Sequence, residues 1–132
     1  MELFRLSKYQ KGRRILCIIR STSNRKTLPP VLQSANYEVT LALTAEEAVA
    51  FCIGNLVAAV VLDSEFHSEA GWSVAQTIKG LHPQLPILLF LDDHKAAEIP
   101  QSVDAIANAA TMVDELRRLL EKPFIARTAF PC

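Results

Sequence analysis

Runs of apolar residues recur along the chain and predict strands that are covered on both faces. Three such runs lie at residues 13–19, where the run follows a basic start, at 57–62 and at 86–91. Residues 37–43 instead alternate apolar and polar positions, which predicts a half-exposed strand at an edge of the sheet. Residues 103–107 form a weaker fifth candidate.

Apolar residues recur at helical spacing in the segments between these strands. Residues 44–55 begin with a capping box, in which a threonine is followed three residues later by a glutamate. Residues 71–83 end at a proline, and residues 111–122 repeat leucines on one face. Strands that alternate with helices predict right-handed βαβ units and a mostly parallel sheet.

Residues 21–36 stand where a further helix is expected, but two consecutive prolines interrupt them. Pro29 and Pro30 lack the backbone N–H that a helix interior needs. Proline is well accommodated in the first turn of a helix. We therefore expect this helix to begin at the prolines.

Composition places the 132-residue chain among globular proteins of one domain. Half of the residues are apolar, and 14 basic residues balance 14 acidic ones. The chain therefore lacks the basic surface expected of a nucleic-acid partner. The apolar runs are too short to cross a bilayer, and the first residues do not resemble a signal peptide. Cys17, Cys52 and Cys132 lack metal-type spacing, and the first two predict buried thiols in a reducing cytoplasm.

A resemblance to a known family rests on three segments in order. Residues 15–19 with 37–49, the stretch VVLDSEFHSEAGW and the proline-flanked strand at residues 81–91 together resemble the receiver domain of bacterial response regulators. The likeness spans roughly residues 13–121. It implies a flavodoxin-like three-layer α/β sandwich, with a five-stranded parallel sheet of order 2-1-3-4-5. It also implies that Asp63 stands at the phosphoacceptor position.

The sequence departs from this family at the positions that support phosphorylation. The family has two acidic residues after strand one that help to hold Mg²⁺, a Ser or Thr after strand four and a Lys after strand five. The matching residues here are Ile19 and Arg20, then Leu91, then Asn108. The region between strands four and five is also shortened. The resemblance therefore implies a degenerate site in which Asp63 is vestigial.

Three interpretations of Asp63 follow. The favoured one is a retained carboxylate without phosphate chemistry, paired with Arg20, because strands one and three are neighbours in this fold. Mg²⁺-dependent phosphorylation is the second. The third is a metal or catalytic site formed by Asp63, His67, Asp92 and His94, since carboxylates mixed with imidazoles suit a transition metal.

We therefore predict a single receiver-like domain over residues 1–132, with a basic lead-in at 1–12, a core at 13–121 and a tail at 122–132. We expect the apolar tail to dock on the body of the domain or on another protomer. The predicted function is a non-enzymatic, phosphorylation-independent module of bacterial two-component signalling in the cytoplasm, without cofactor or metal. Its partners are expected to be proteins, such as a histidine kinase, another signalling protein or a second copy of the chain, and neither nucleic acid nor membrane. The alternative is a small metal-binding or enzymatic protein.

Overall fold

The computed structural model describes residues 13–63, 69–91 and 102–129, with the side chains of residues 69–72 and 121–129 left aside. Within these residues the structure has five strands and four helices, which alternate along the chain as far as the fourth strand. The strands are β1 (Arg14–Ile18), β2 (Glu38–Ala42), β3 (Ala59–Leu62), β4 (Ile87–Phe90) and β5 (Ala105–Ala107). The helices are α1 (Thr22–Ser34), α2 (Ala45–Gly54), α3 (Glu69–Leu81) and α4 (Met112–Ala129).

The five strands form one parallel sheet of order β2-β1-β3-β4-β5. Ile18 lies opposite Ala42 on one side and Leu62 on the other. Leu62 lies opposite Leu89 of β4. All carboxyl ends therefore meet at one edge of the sheet. This confirms the predicted flavodoxin-like order, and the residues that follow β1, β3, β4 and β5 become neighbours.

Two apolar layers cover the two faces of the sheet, as the continuous apolar runs predict. One layer combines β-strand residues with α2 and α3, for example Leu62 with Cys52 and Ile78. The other combines the opposite side chains with α1 and α4, for example Cys17 with Leu28. The sheet is thus the middle layer of three.

Helix α1 does not begin at the prolines, so that prediction was wrong. It begins at Thr22 and contains both Pro29 and Pro30. An interior proline costs about 3 kcal/mol, but full burial of a leucine contributes about 1.5–3 kcal/mol, and Leu28 and Leu32 are both completely buried. Burial on both sides of the prolines therefore offsets their cost.

Both ends of α1 are closed by local hydrogen bonds. Ser21 is the N-cap, and its hydroxyl accepts a bond from the backbone N–H of Asn24. At the other end, Asn36 has a φ of 75°, and the N–H groups of Asn36 and Tyr37 donate to the carbonyls of Gln33 and Leu32. This pair of bonds is a Schellman ending.

The remaining boundaries agree with the sequence patterns to within a few residues, except at the end of the chain. Helix α4 extends beyond the expected end at residue 122, as far as Ala129. The predicted docking of the tail side chains lies outside the described residues. None of the helices in the described part of the chain has the length and apolar character needed to span a membrane.

Candidate functional site

Asp63 lies directly after β3, at the carboxyl edge of the sheet. Its residue surface is completely buried. Its backbone N–H donates to the carbonyl of Ile18 at 3.0 Å, which continues the pairing of β3 with β1 by one residue. The carboxylate is therefore held next to the loop that joins β1 to α1.

In the described part of the chain, three hydrogen-bond donors contact the Asp63 carboxylate. The backbone N–H groups of Arg20 and Ser21 donate to Oδ2, at 3.0 Å and 2.7 Å. The side-chain amide Nδ2 of Asn24 donates to Oδ1 at 2.7 Å. Both oxygens of the carboxylate thus accept bonds from the protein itself.

The first turn of α1 brings these donors together. Ser21 has an extended backbone as the N-cap, so its N–H points back from the helix towards β3. A carboxylate at this end of a helix is stabilised by the helix dipole. Asn24 is only 8% exposed and lies one and two helical turns before Leu28 and Leu32 on the same face. The Asp63 carboxylate therefore occupies the position at the N-terminus of α1 where helices commonly bind anions.

The predicted ion pair between Arg20 and Asp63 stays a prediction. The hydrogen bond observed between these two residues is donated by the backbone N–H of Arg20 to Oδ2 of Asp63. Arg20 is exposed at the residue level, whereas Asp63 is buried. Replacing the Arg20 side chain would leave this backbone bond in place.

Two of the four residues that are predicted to differ from the receiver pattern belong to the hydrophobic core. Ile19 is completely buried and packs in the layer with α1 and α4. Leu91 is 8% exposed and packs with Val103 in the layer on the opposite face. Its backbone N–H donates to the carbonyl of Ala107, so it extends the pairing of β4 with β5. These side chains contribute packing at positions that the family resemblance matches to polar groups.

Asn108 organises the turn that leads into α4. Its Oδ1 accepts bonds from the backbone N–H groups of Ala110 and Thr111, at 2.9 Å and 3.0 Å. The Thr111 hydroxyl lies 3.1 Å from the backbone N of Asn108 and accepts its N–H. Asparagine is favoured in such turns because its side chain replaces a backbone acceptor. The amide therefore shapes a turn at the position that the family resemblance matches to a lysine.

The described residues around Asp63 do not fit Mg²⁺. This ion requires oxygen ligands in near-octahedral geometry at about 2.0–2.1 Å. The described groups that contact the carboxylate are N–H donors from Arg20, Ser21 and Asn24. Turning the Asn24 amide to present its oxygen would place two oxygens that only accept bonds against each other. We therefore derive no chemistry that requires this metal.

The alternative metal site cannot be assembled from the described residues. His67, Asp92 and His94 lie outside them, and Asp63 alone of the four is described. Across residues 13–63, 69–91 and 102–129, no three His, Cys, Asp or Glu side chains are grouped as metal ligands. The alternative stays a prediction.

The described cysteines are buried free thiols, as predicted. Burial raises the pKa of Cys17 to about 12 and also raises the pKa of Cys52. A raised pKa disfavours the thiolate, which is the nucleophilic form. Neither thiol is therefore suited to nucleophilic chemistry.

Sequence reasoning missed two residues of the site, Ser21 and Asn24. A signal for Asn24 was present, since it precedes Leu28 and Leu32 at a spacing of four residues. An amide on the apolar face of a helix needs a buried partner. The expectation that the helix begins at Pro29 removed Asn24 from the helix and hid this pattern.

The sequence matches no protein-family model and no curated protein sequence. Its fold, however, is similar to many solved structures. A receiver domain of a sensor histidine kinase from Pseudomonas aeruginosa PAO1, described with a magnesium ion in its active-site cleft, is 19% identical with a TM-score of 0.72. That match covers 83% of this chain and 98% of the other.

Two further matches lead to the same fold. A CheY-like response regulator receiver domain protein from Methanospirillum hungatei JF-1 is 18% identical, with a TM-score of 0.70 over 83% of this chain and 94% of that one. A chain from the complex of histidine kinase ThkA with response regulator TrrA is 24% identical, with a TM-score of 0.71 over 82% and 98%. The chain therefore has the fold of response regulator receiver domains, as the sequence predicted.

Proposed function

We propose that this chain is a receiver-like signalling module that acts without phosphorylation of Asp63 and is not an enzyme. The observation that carries the proposal is the state of the Asp63 carboxylate, which is fully buried and accepts bonds from Arg20, Ser21 and Asn24. In an active receiver this carboxylate is the nucleophile. Here its lone pairs already serve a structural purpose.

Attack on a phosphodonor would require Asp63 to give up these bonds. A hydrogen bond to a charged group contributes about 1.5–3 kcal/mol, and leaving its donor unsatisfied in a buried site adds a further cost. Three such bonds would have to be lost or rearranged. The described residues provide no ligand set that would hold a cation at Asp63 in place of these bonds. The cost of losing these bonds therefore supports a site that is not phosphorylated.

The departed positions support the same conclusion. Ile19 and Leu91 pack in the core, and Asn108 forms the turn before α4. Polar residues in place of Ile19 and Leu91, or a lysine in place of Asn108, could not fill these structural roles without rearrangement. These roles support the proposal that the phosphoryl-binding groups are lost.

We further propose that the module acts by binding proteins in the bacterial cytoplasm. One structural match comes from a complex between a histidine kinase and a response regulator, which supports a signalling protein as partner. A histidine kinase, another signalling protein and a second copy of the chain are the proposed partners. Nothing in this mode of action requires a cofactor.

Phosphotransfer from a small phosphodonor tests the proposal directly. The purified chain is incubated with the donor and Mg²⁺, and its intact mass is measured beside a receiver domain that has a complete site. We expect the complete receiver to gain a phosphoryl group and this chain to remain unmodified. A stoichiometric acyl phosphate that disappears in Asp63→Asn would overturn the proposal.

A metal-binding or enzymatic function is the alternative of a different class. It would use His67, Asp92 and His94 beside Asp63. Elemental analysis of the purified protein separates the two functions, because a stoichiometric transition metal is expected only for the alternative. Loss of that metal in His67→Ala and His94→Ala would then identify its ligands.

A further inference from the structure

The bond between Asn24 and Asp63 occupies a carboxylate oxygen that a metal ion would need as a ligand. Asn24 Nδ2 lies 2.7 Å from Asp63 Oδ1, and both residues are more than nine-tenths buried. Oδ2 is occupied by the N–H groups of Arg20 and Ser21. Among the described residues, Asn24 is therefore the side chain that donates to Oδ1.

We propose that Asn24 excludes divalent cations from Asp63, and that exchanging its amide for a carboxylate converts the site into one that binds Mg²⁺. This rests on the proposed function in one respect, namely that Asp63 has a structural role in the natural chain. It extends that function by identifying one side chain that keeps the site metal-free.

Geometry explains the exclusion. An N–H group that donates at 2.7 Å places its hydrogen between nitrogen and oxygen, in the region where a cation at about 2.0–2.1 Å from the oxygen would lie. The partial positive charge of that hydrogen also repels a cation. The amide and the two backbone N–H groups stabilise the carboxylate charge by donating hydrogen bonds to it.

Exchange of Asn24 for aspartate removes this donor and adds a negative charge, with little change in the shape of the side chain. Asn24→Asp replaces a donor by an acceptor, so two carboxylates would face each other in a buried space. Two such groups either share a proton or bind a cation between them. One or two carboxylates with water molecules form a common Mg²⁺ ligand set. The fold already presents the second carboxylate at the required edge of the sheet.

Metal binding by the full chain tests this proposal. Mg²⁺ is titrated calorimetrically and Mn²⁺ by electron paramagnetic resonance, for the natural chain and for Asn24→Asp. The matched control is Ser23→Asp, which adds the same charge at the adjacent, exposed position of α1. A second control is Asn24→Asp combined with Asp63→Asn, which removes the partner carboxylate.

We expect binding only for Asn24→Asp with Asp63 intact. Thermal and chemical unfolding give an independent readout, because a ligand of the native state stabilises it by mass action. When free Mg²⁺ is about a hundredfold above its Kd, the unfolding constant of Asn24→Asp should fall about a hundredfold. If this variant is unfolded without metal, recovery of the fold on addition of Mg²⁺ is the same result.

Other outcomes overturn the proposal. Binding to the natural chain that is lost in Asp63→Asn would show that Asn24 does not exclude cations. Equal binding by Asn24→Asp and Ser23→Asp would show a nonspecific charge effect. No binding by any variant would show that Asn24 is not the determining residue. The last result leaves the proposed function intact, since that is tested separately by phosphotransfer to the natural chain.

Discussion

Asn24 and Asp63 are 39 residues apart in the chain, and their side chains are joined by a buried hydrogen bond of 2.7 Å. The bond connects the first turn of α1 to the end of β3. The backbone N–H groups of Arg20 and Ser21 reinforce the same connection. Asp63, which the sequence predicts at the phosphoacceptor position, is therefore a structural partner of the first turn of α1.

Removing the Asp63 side chain should destabilise the domain strongly. Asp63→Ala leaves two backbone N–H groups and the Asn24 amide without their acceptor in a buried site, and we expect a loss of about 3 kcal/mol in the free energy of unfolding. Chemical denaturation measures it. Asp114→Ala is the matched control, because it removes the same charge from an exposed position in the first turn of α4 and should cost less than about 1 kcal/mol. Equal costs for the two variants would contradict a structural role for Asp63.

The Arg20 side chain should couple only weakly to Asp63. The exposed position of Arg20 lets solvent screen its charge, and its backbone bond to Asp63 persists in Arg20→Ala. A double-mutant cycle of Arg20→Ala with Asp63→Ala should give a coupling energy below about 1 kcal/mol. A coupling near 3 kcal/mol would instead identify a desolvated ion pair, as in the stronger form of the sequence prediction.

Loss of the Asn108 side chain should weaken the turn before α4. Asn108→Ala removes the acceptor for the N–H groups of Ala110 and Thr111, and we expect a cost of about 1 kcal/mol. Asn108→Asp is the control, since its carboxylate oxygen can accept the same bonds and favours the N-terminus of the helix. Denaturation of both variants should show the loss only for alanine. Equal losses would mean that the turn does not depend on these bonds.

Stability should fall in alkaline solution partly because of Cys17. Burial raises its pKa from the ordinary value of 9.0 to about 12, so between these values the unfolded chain releases a proton that the folded chain retains. This contribution is fully present below pH 9 and is lost as pH rises towards 12, at up to about 1.4 kcal/mol per pH unit. The free energy of unfolding in urea should therefore fall more steeply with rising pH for the natural chain than for Cys17→Ala. Parallel profiles would contradict the raised pKa, because Cys52 and all other groups are common to both proteins.

The arrangement of strands could be predicted from the sequence because each strand carries its own pattern. The apolar runs at β1, β3 and β4 require cover on both faces, and the alternation at β2 is typical of an edge. The start of helix α2 was predicted from its capping box. In the structure, the Thr44 hydroxyl accepts the N–H of Glu47, and the Glu47 carboxylate accepts the N–H of Leu43. Such signals are local, so one sequence is enough to detect them.

The interior of the site could be predicted only in part. The position of Asp63 followed from the end of an apolar run, and the substitutions at Ile19 and Leu91 followed from the family resemblance. The donors to Asp63 did not, because they depend on where α1 begins. Local propensity placed that point at Pro29, whereas the buried contacts of α1 with distant strands place it at Thr22. Tertiary packing decided the boundary, and a single helical segment does not contain that information.

The two prolines also divide α1 into two halves that are each fixed by tertiary contacts. Since Pro29 and Pro30 have no amide hydrogen, neither donates the usual helical bond to the carbonyls of Arg25 and Lys26. The first half is held by the bond of Asn24 to Asp63 and by the burial of Leu28, and the second half by the burial of Leu32. The continuity of α1 therefore depends on anchors on each side of the prolines more than on its own backbone bonds.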